Sequence, residues 1–256
     1  MPAWPAGSTA FVTGATSGFG AAIARRFVAE GWFVVAAARR VERLALLRHE
    51  LGDRIHTVEL DVRDRDAVMR CAESVPATFG PLRVVVANAG LALGLEGADH
   101  ADLDDWDTMV DTNIKGLMYT ARALVPRLVE AGGGHVVTLG SVAGSYPYPG
   151  GNVYGATKAF VAQFALNLRA DLVGKGIRVT DIEPGLAETE FSVVRFKGDA
   201  QRAAKVYDGI EPIHAEDIAE ATWWAVSQPR NVNVNRIELM AGCQAFGPFQ
   251  VVRAAP

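Results

Sequence analysis

Short apolar runs alternate with segments of helical period along most of the chain. STAFVT (8–13) reads as a buried strand and GFGAAIARRFVAE (18–30) as a helix with one apolar face. The alternation continues. WFVVAAAR is a second strand, VERLALLRHEL a helix, IHTVEL a third strand, 63–77 a helix and LRVVVANAG a fourth strand ending in a turn. A long helical region over 102–130 follows, then HVVTLGS as a strand, 153–173 as a helix, IRVTDIEP as a strand, 215–226 as a helix and RIELM as the last strand. The lead-in MPAWPAGS is expected to fray. Strands rich in Val, Ile and Leu that alternate with helices predict a parallel sheet covered on both faces, because each right-handed crossover lays a helix on one of them. The expected fold is therefore a Rossmann-like, doubly wound α/β domain with a seven-stranded parallel sheet, spanning 1–256 as one unit. Segment 186–212 is polar, lacks clear periodicity and exceeds an ordinary loop, which predicts a lid.

Composition narrows the function classes. With 256 residues, 50% of them hydrophobic, 21% charged and a net charge of -4, the chain has ample core material and no run of Lys or Arg able to track a phosphate backbone or an anionic membrane. Neither nucleic acid nor membrane is an expected partner. Two cysteines, Cys71 and Cys243, are too few for a disulfide framework or a metal cluster, so no metal and a reducing cytoplasmic setting are expected. The uncharged stretch 1–24 is followed, not preceded, by Arg25-Arg26, unlike a secretory signal. Gly and Pro interrupt 133–157 too often for a membrane span.

In doubly wound sheets ligands bind beyond the carboxyl ends of the strands, which directs attention to the first turn, TGATSGFG. Gly14, Gly18 and Gly20 allow a tight turn, close approach to a pyrophosphate and a helix start whose free N–H groups favour an anion; Thr16, Ser17 and Phe19 complete the turn. The second strand ends in Arg39 and Arg40, where a fold selective for NAD usually carries an acid. Two guanidinium forks there suit a phosphate ester, so NADP is the expected cofactor. Asp61 and Val62 follow the third strand, near an adenine, or Asp61 caps the next helix.

NVYGATKAF (152–160) sets Tyr154 and Lys158 four residues apart, stacked on one helix face. An ammonium beside a phenol favours the phenolate, which predicts Tyr154 as a general acid and base. Together with TGATSGFG, ANAG (87–90), Asn113 and Ser141, this spacing resembles the short-chain dehydrogenase/reductase family over nearly the whole chain. The resemblance implies that Ser141 holds the substrate oxygen beside Tyr154, that Lys158 also binds the nicotinamide ribose, and that Asn113 holds a water linking the lysine to solvent. It further implies that Asn88, Ala89, Gly90, Pro184 and Gly185 line the cofactor cleft, with Thr189 reaching the carboxamide.

RRVERL, DTNIKGL, NVYGATKAFV, DIEPGL, TEF and VRFKGD are similar to NADP-dependent 3-hydroxy acid dehydrogenases acting on serine, allo-threonine and related short acids. Such a substrate needs a cation for its carboxylate, and Arg195 and Lys197 are the candidates, or else solvated loop charges. Tyr146 is expected at the substrate with Tyr148 as an aromatic wall, or SYPYPGG is simply a structural loop. The chain departs from that group at Ala87, at Tyr146 and in a PGLAETEF turn one residue shorter. The resemblance also implies a homotetramer built on the helices near 114–130 and 153–173 and on the tail AFGPFQVV, unless Leu117, Ala121, Leu124, Phe160, Phe164 and Leu168 serve the monomer core. Two other readings remain: reduction of another small carbonyl such as malonic semialdehyde, a diketone or a biosynthetic ketone, and a non-catalytic dinucleotide sensor.

Overall fold

The computed structural model describes residues 3–247. Seven parallel strands form one sheet: β1 (Thr9–Thr13), β2 (Phe33–Ala38), β3 (Ile55–Glu59), β4 (Leu82–Ala87), β5 (Gly134–Leu139), β6 (Ile177–Pro184) and β7 (Arg236–Leu239). Their order across the sheet is β3-β2-β1-β4-β5-β6-β7, as a doubly wound fold requires. The intervening helices are α1 (Gly18–Ala29), α2 (Val41–Leu51), α3 (Arg65–Cys71), α4 (Leu103–Val110), α5 (Gly116–Glu130), α6 (Asn152–Asp171), α7 (Phe191–Arg195), α8 (Ala200–Lys205) and α9 (Ala215–Ser227).

Side chains alternate across each strand, so the sheet divides the core in two. Ala10, Val12, Val34, Ala36, Val84 and Val86 pack with Ile23 and Phe27 of α1 and Ile218 and Val226 of α9. Phe11, Val35, Val85, Val136 and Val179 face the other way, against Val68 of α3, Leu124 and Leu128 of α5 and Ala165 of α6. Both faces being covered explains why the strands read as unbroken apolar runs.

Three expectations change. The lead-in is not wholly frayed: Trp4 is buried, and Arg83 and Arg230 lie 4.8 and 4.1 Å from its ring centroid. The helix expected over 63–77 ends at Cys71, where the Ser74 hydroxyl takes the Cys71 carbonyl and Pro76 disfavours helical backbone at Val75. The long helix over 102–130 is broken by a wider π turn at Asp111–Lys115, which contains Asn113. Segment 186–212 is ordered around the short helices α7 and α8. Leu117, Ala121 and Leu124 belong to the interior, whereas Phe160 and Phe164 stack on each other half-buried, near exposed Leu166. The tail AFGPFQVV lies outside the described residues from 248 onward.

Phe27 is completely buried and meets Trp32 and Trp223 edge-on at 5.2 and 5.3 Å. Phe27→Ala is expected to lower unfolding free energy by about 3–5 kcal/mol, read from the urea midpoint with an unchanged slope.

Candidate active site

Strand order reverses between β1 and β4, and the cleft opens there. Asn88, at the end of β4, locks the two strands: its side-chain amide donates to the Thr13 and Gly14 carbonyls at 2.9 and 3.2 Å. The Thr13 hydroxyl in turn accepts from the Asn88 and Ala89 amides, each at 3.0 Å. Gly14 and Gly18 have φ of +66° and +48°, the left-handed region that favours glycine. A Cβ on Gly20 would stand 2.3 Å from the Gly14 carbonyl oxygen, so only glycine lets α1 start this close to the turn.

The start of α1 suits an anion. Ser17 occupies the N-cap, yet its hydroxyl makes no cap hydrogen bond and accepts instead from Arg40 Nη2 at 2.6 Å. No acidic residue lies in the first turn, leaving the helix N–H groups to a negatively charged group. Arg40 also reaches the Thr16 hydroxyl at 3.3 Å, and exposed Arg39 lines the same end. Asp61 and Val62 line it too. Asp61 does not cap α3, a role taken by Asp64, whose carboxylate accepts from the Ala67 amide; Asp61 grips Arg63, which holds its carboxyl below the usual range.

At the reacting end, Ser141 follows β5 and Tyr154 and Lys158 project from α6. All three are buried, and all line a cleft of about 280 Å³ together with Gly90, Pro184, Gly185 and Thr189. Ser141 Oγ donates to the Pro184 carbonyl at 3.3 Å and accepts from the Ala143 amide at 3.1 Å. Lys158 Nζ donates to the Leu139 carbonyl at 2.6 Å and lies 5.9 Å from the Tyr154 ring centroid. Asn113 sits behind Gly90. Its side chain accepts from the Leu91 amide and donates to the Leu91 carbonyl and the Thr157 hydroxyl, at 2.9, 2.8 and 3.0 Å.

The electrostatics differ from the sequence expectation. Burial pushes the Tyr154 phenol up to about 12, while the Ser141 hydroxyl and then the Arg195 guanidinium pull it down. The Lys158 ammonium is not among the groups that lower it. Its own burial brings Lys158 down to about 8, the Asp181 carboxyl working the other way. The cation set closest to the phenol ring is therefore Arg195, 5.0 Å from the centroid.

The three substrate candidates separate. Arg195 lies over Tyr154, donates to the Tyr148 hydroxyl and keeps a buried Nε with no partner among the described residues. Lys197 lies two residues on, where a positive φ of 52° ends the turn, and it pairs with Asp105 at 2.9 Å and Asp102 at 3.4 Å, away from the cleft. Tyr146 also points away: its hydroxyl bonds Glu238 on β7 at 3.2 Å and its ring packs on Phe246. Tyr148, not Tyr146, is the aromatic beside the site. Sequence reasoning included Glu190 and Phe191 only within the TEF likeness and gave neither a role. Glu190 pairs with Arg40 at 2.9 Å and with Arg43, and the Phe191 ring lies 5.5 Å from Tyr154. An acid and an aromatic in an aperiodic segment carry no signal of either contact. Thr157 was legible in principle, three residues after Tyr154 on the same helix face.

Among the described residues no cluster of His, Cys, Asp and Glu could hold a metal, and no helix is long and apolar enough to cross a membrane. Residues 8–199 match the family model described as short chain dehydrogenase. The NADP-dependent 3-hydroxy acid dehydrogenase of Salmonella typhi is 55% identical over 244 residues, covering 95% of this chain and 98% of that protein. The serine 3-dehydrogenase of Agrobacterium fabrum is 51% identical over 245 residues, with 96% and 98% covered. A solved closed form of serine dehydrogenase complexed with NADP+ superposes with a TM-score of 0.94 at 52% identity, covering 96% of this chain and all of that one. The glycine turn, the Ser141, Tyr154 and Lys158 cluster and these likenesses agree, and the chain belongs to the short-chain dehydrogenase family.

Proposed function

We propose that this chain is an NADP-dependent oxidoreductase acting on the carbinol of short 3-hydroxy acids of the serine or allo-threonine type. The observation that carries the reading is the meeting of Ser141, Tyr154 and Lys158 in one cleft, with the Arg195 guanidinium stacked 5.0 Å over the Tyr154 ring. NADP, when bound, supplies or accepts the hydride. Ser141 orients the substrate oxygen, and Tyr154 moves the proton at that oxygen. Arg195 offers a carboxylate a charge-assisted hydrogen bond within reach of a short acid whose hydroxyl sits at Tyr154. Lys158, Gly90 and Asn113 converge behind the nicotinamide end: a Cβ on Gly90 would stand 3.2 Å from Asn113 Oδ1 and 3.5 Å from Lys158 Nζ. Arg39 and Arg40 at the end of β2 provide the cations that favour a 2′-phosphate over a free hydroxyl.

A phenol held near 12 carries its proton at neutral pH, which readies Tyr154 as a donor and supports reduction of a small carbonyl such as malonic semialdehyde as the reverse reading. We place segment 186–212 over the cleft as its lid within a single domain. The half-buried pair Phe160 and Phe164 supports the homotetramer implied by the family. The host compartment that fits these readings is the cytoplasm.

Three outcomes test the assignment. Tyr154→Phe is expected to lower kcat by roughly 10²–10⁴-fold, the usual share of general acid-base catalysis, with NADP+ affinity by fluorescence titration nearly intact; retained turnover would refute the role. Arg195→Gln should reduce kcat/KM for serine or 3-hydroxy acids about 10–100-fold while sparing alcohols that lack a carboxylate. A uniform loss across a substrate panel would remove Arg195 from carboxylate recognition. Arg40→Ala should weaken NADP+ at least tenfold and leave NAD+ affinity near its starting value, and an equal loss for both would detach Arg40 from the phosphate.

A further inference from the structure

Two acidic side chains outside this chemistry lie directly beneath it. Asp181 and Glu183 are two residues apart on β6, so both project from the same face, and they are only 3% and 1% exposed. One oxygen of each has a donor. Thr138 donates to Asp181 Oδ1 at 2.6 Å, and Arg236 Nε donates to Glu183 Oε2 at 2.6 Å. The remaining oxygens, Asp181 Oδ2 and Glu183 Oε1, are buried with no donor among the described residues.

Two buried carboxylate oxygens cannot both stay ionised side by side without a donor, but a single proton satisfies both, one oxygen donating to the other. The pair closes over Gly140. A Cβ there would stand 2.5 Å from Asp181 Oδ2 and 2.9 Å from Glu183 Cγ. Gly140 is tied to β6 through its amide, which donates to the Ile182 carbonyl at 2.8 Å. Its chain neighbours are Leu139, whose carbonyl takes the Lys158 ammonium, and Ser141.

We propose that Asp181 and Glu183 hold one shared proton and, as a hydrogen-bonded pair packed on Gly140, act as positioning residues for Ser141 and Lys158. The role rests on the reading of those two residues given above; the shared proton does not. The titratable and charged groups facing the pair are Lys158 from α6, Arg236 and Glu238 from β7 and Tyr146 from the loop after β5. Glu183 is tied to Arg236, whereas the free oxygen of Asp181 has no donor among the described residues. Asp181 carries the proton, and burial beside Glu183 pushes its carboxyl up to about 8. Above that pH the second charge appears, the two oxygens repel, and the support beneath Gly140 is lost.

The native Asp181 pKa exceeds the unfolded one, so the folded protein binds the extra proton, and stability falls as pH rises toward about 8. Asp181→Asn replaces the shared proton with an amide that donates to Glu183 and still accepts from Thr138. Infrared difference spectra of the wild-type protein at pH 7 should show a protonated carboxyl stretch that Asp181→Asn removes. The Tm of Asp181→Asn should fall less between pH 6 and 9 than that of the wild type. The ratio of kcat at pH 9 to kcat at pH 7 should be at least threefold higher in Asp181→Asn. An absent carboxyl band, or parallel Tm profiles, overturns the shared proton. An alkaline limb of kcat that stays in place or moves to lower pH overturns the positioning role, the downward move making Asp181 a counter-ion of Lys158. The band and the melting profile do not depend on substrate, so a failure of the Tyr154 assignment leaves them standing and is distinguishable.

Discussion

Burial at the carboxyl ends of the strands is the constraint on which this molecule turns. A phenol, an ammonium, a guanidinium edge and two carboxyls all sit where water is largely excluded. Each resists its charged form unless a neighbour compensates. The phenol moves up, the ammonium moves down and the Asp181 carboxyl moves up, each by desolvation first and by neighbours second. The same low-dielectric surroundings give a single well-placed partner a large effect, so small changes in geometry around Tyr154 translate into large changes in its proton affinity.

A parallel sheet brings these groups together because all of its carboxyl ends lie on one edge. The glycine turn after β1, the arginines after β2, Asp61 after β3, Asn88 after β4, Ser141 after β5 and Pro184 at the end of β6 are far apart in sequence and meet along that edge. The close contacts depend on missing Cβ atoms. A Cβ on Gly20 would collide with the Gly14 carbonyl, one on Gly14 with the Asn88 side-chain amide and one on Gly140 with the Asp181 carboxyl, so glycine lets these groups approach the turns they support.

What the sequence revealed follows from that division. Strand identity was legible in unbroken apolar runs, and the Tyr154–Lys158 pair in its helical spacing, because both depend on local period. The direction of Lys158 was not. A long flexible stem lets the ammonium choose a carbonyl of β5 over the phenol, a choice made by tertiary contact. Arg195 and Lys197 looked equivalent as neighbouring cations. A short helix ending in a left-handed residue sends one over Tyr154 and the other to Asp102 and Asp105. Tyr146 and Tyr148 separated likewise, since residues two apart in a turn need not share a face. Trp4 was misread because composition near a terminus says nothing of a cation pair, Arg83 and Arg230, waiting 79 and 226 positions away.

Segment 189–195 joins the two ends of the cleft. Thr189 lies against Gly18, since a Cβ there would approach Thr189 Cβ to 3.2 Å, and Glu190 reaches Arg40 and Arg43 at the adenosine end. Phe191, the next residue, and Arg195, about one turn further on, lie on Tyr154. The attachments are unequal. Glu190 and its two arginines are each more than 40% exposed, and such ion pairs contribute only about 0–1 kcal/mol. The reacting end is held by buried aromatic contact and by the Arg195 to Tyr148 hydrogen bond, which are less readily exchanged with water. An anionic group at Arg40 would compete with Glu190 for the weaker attachment, so that end of the segment yields before the end packed on Tyr154.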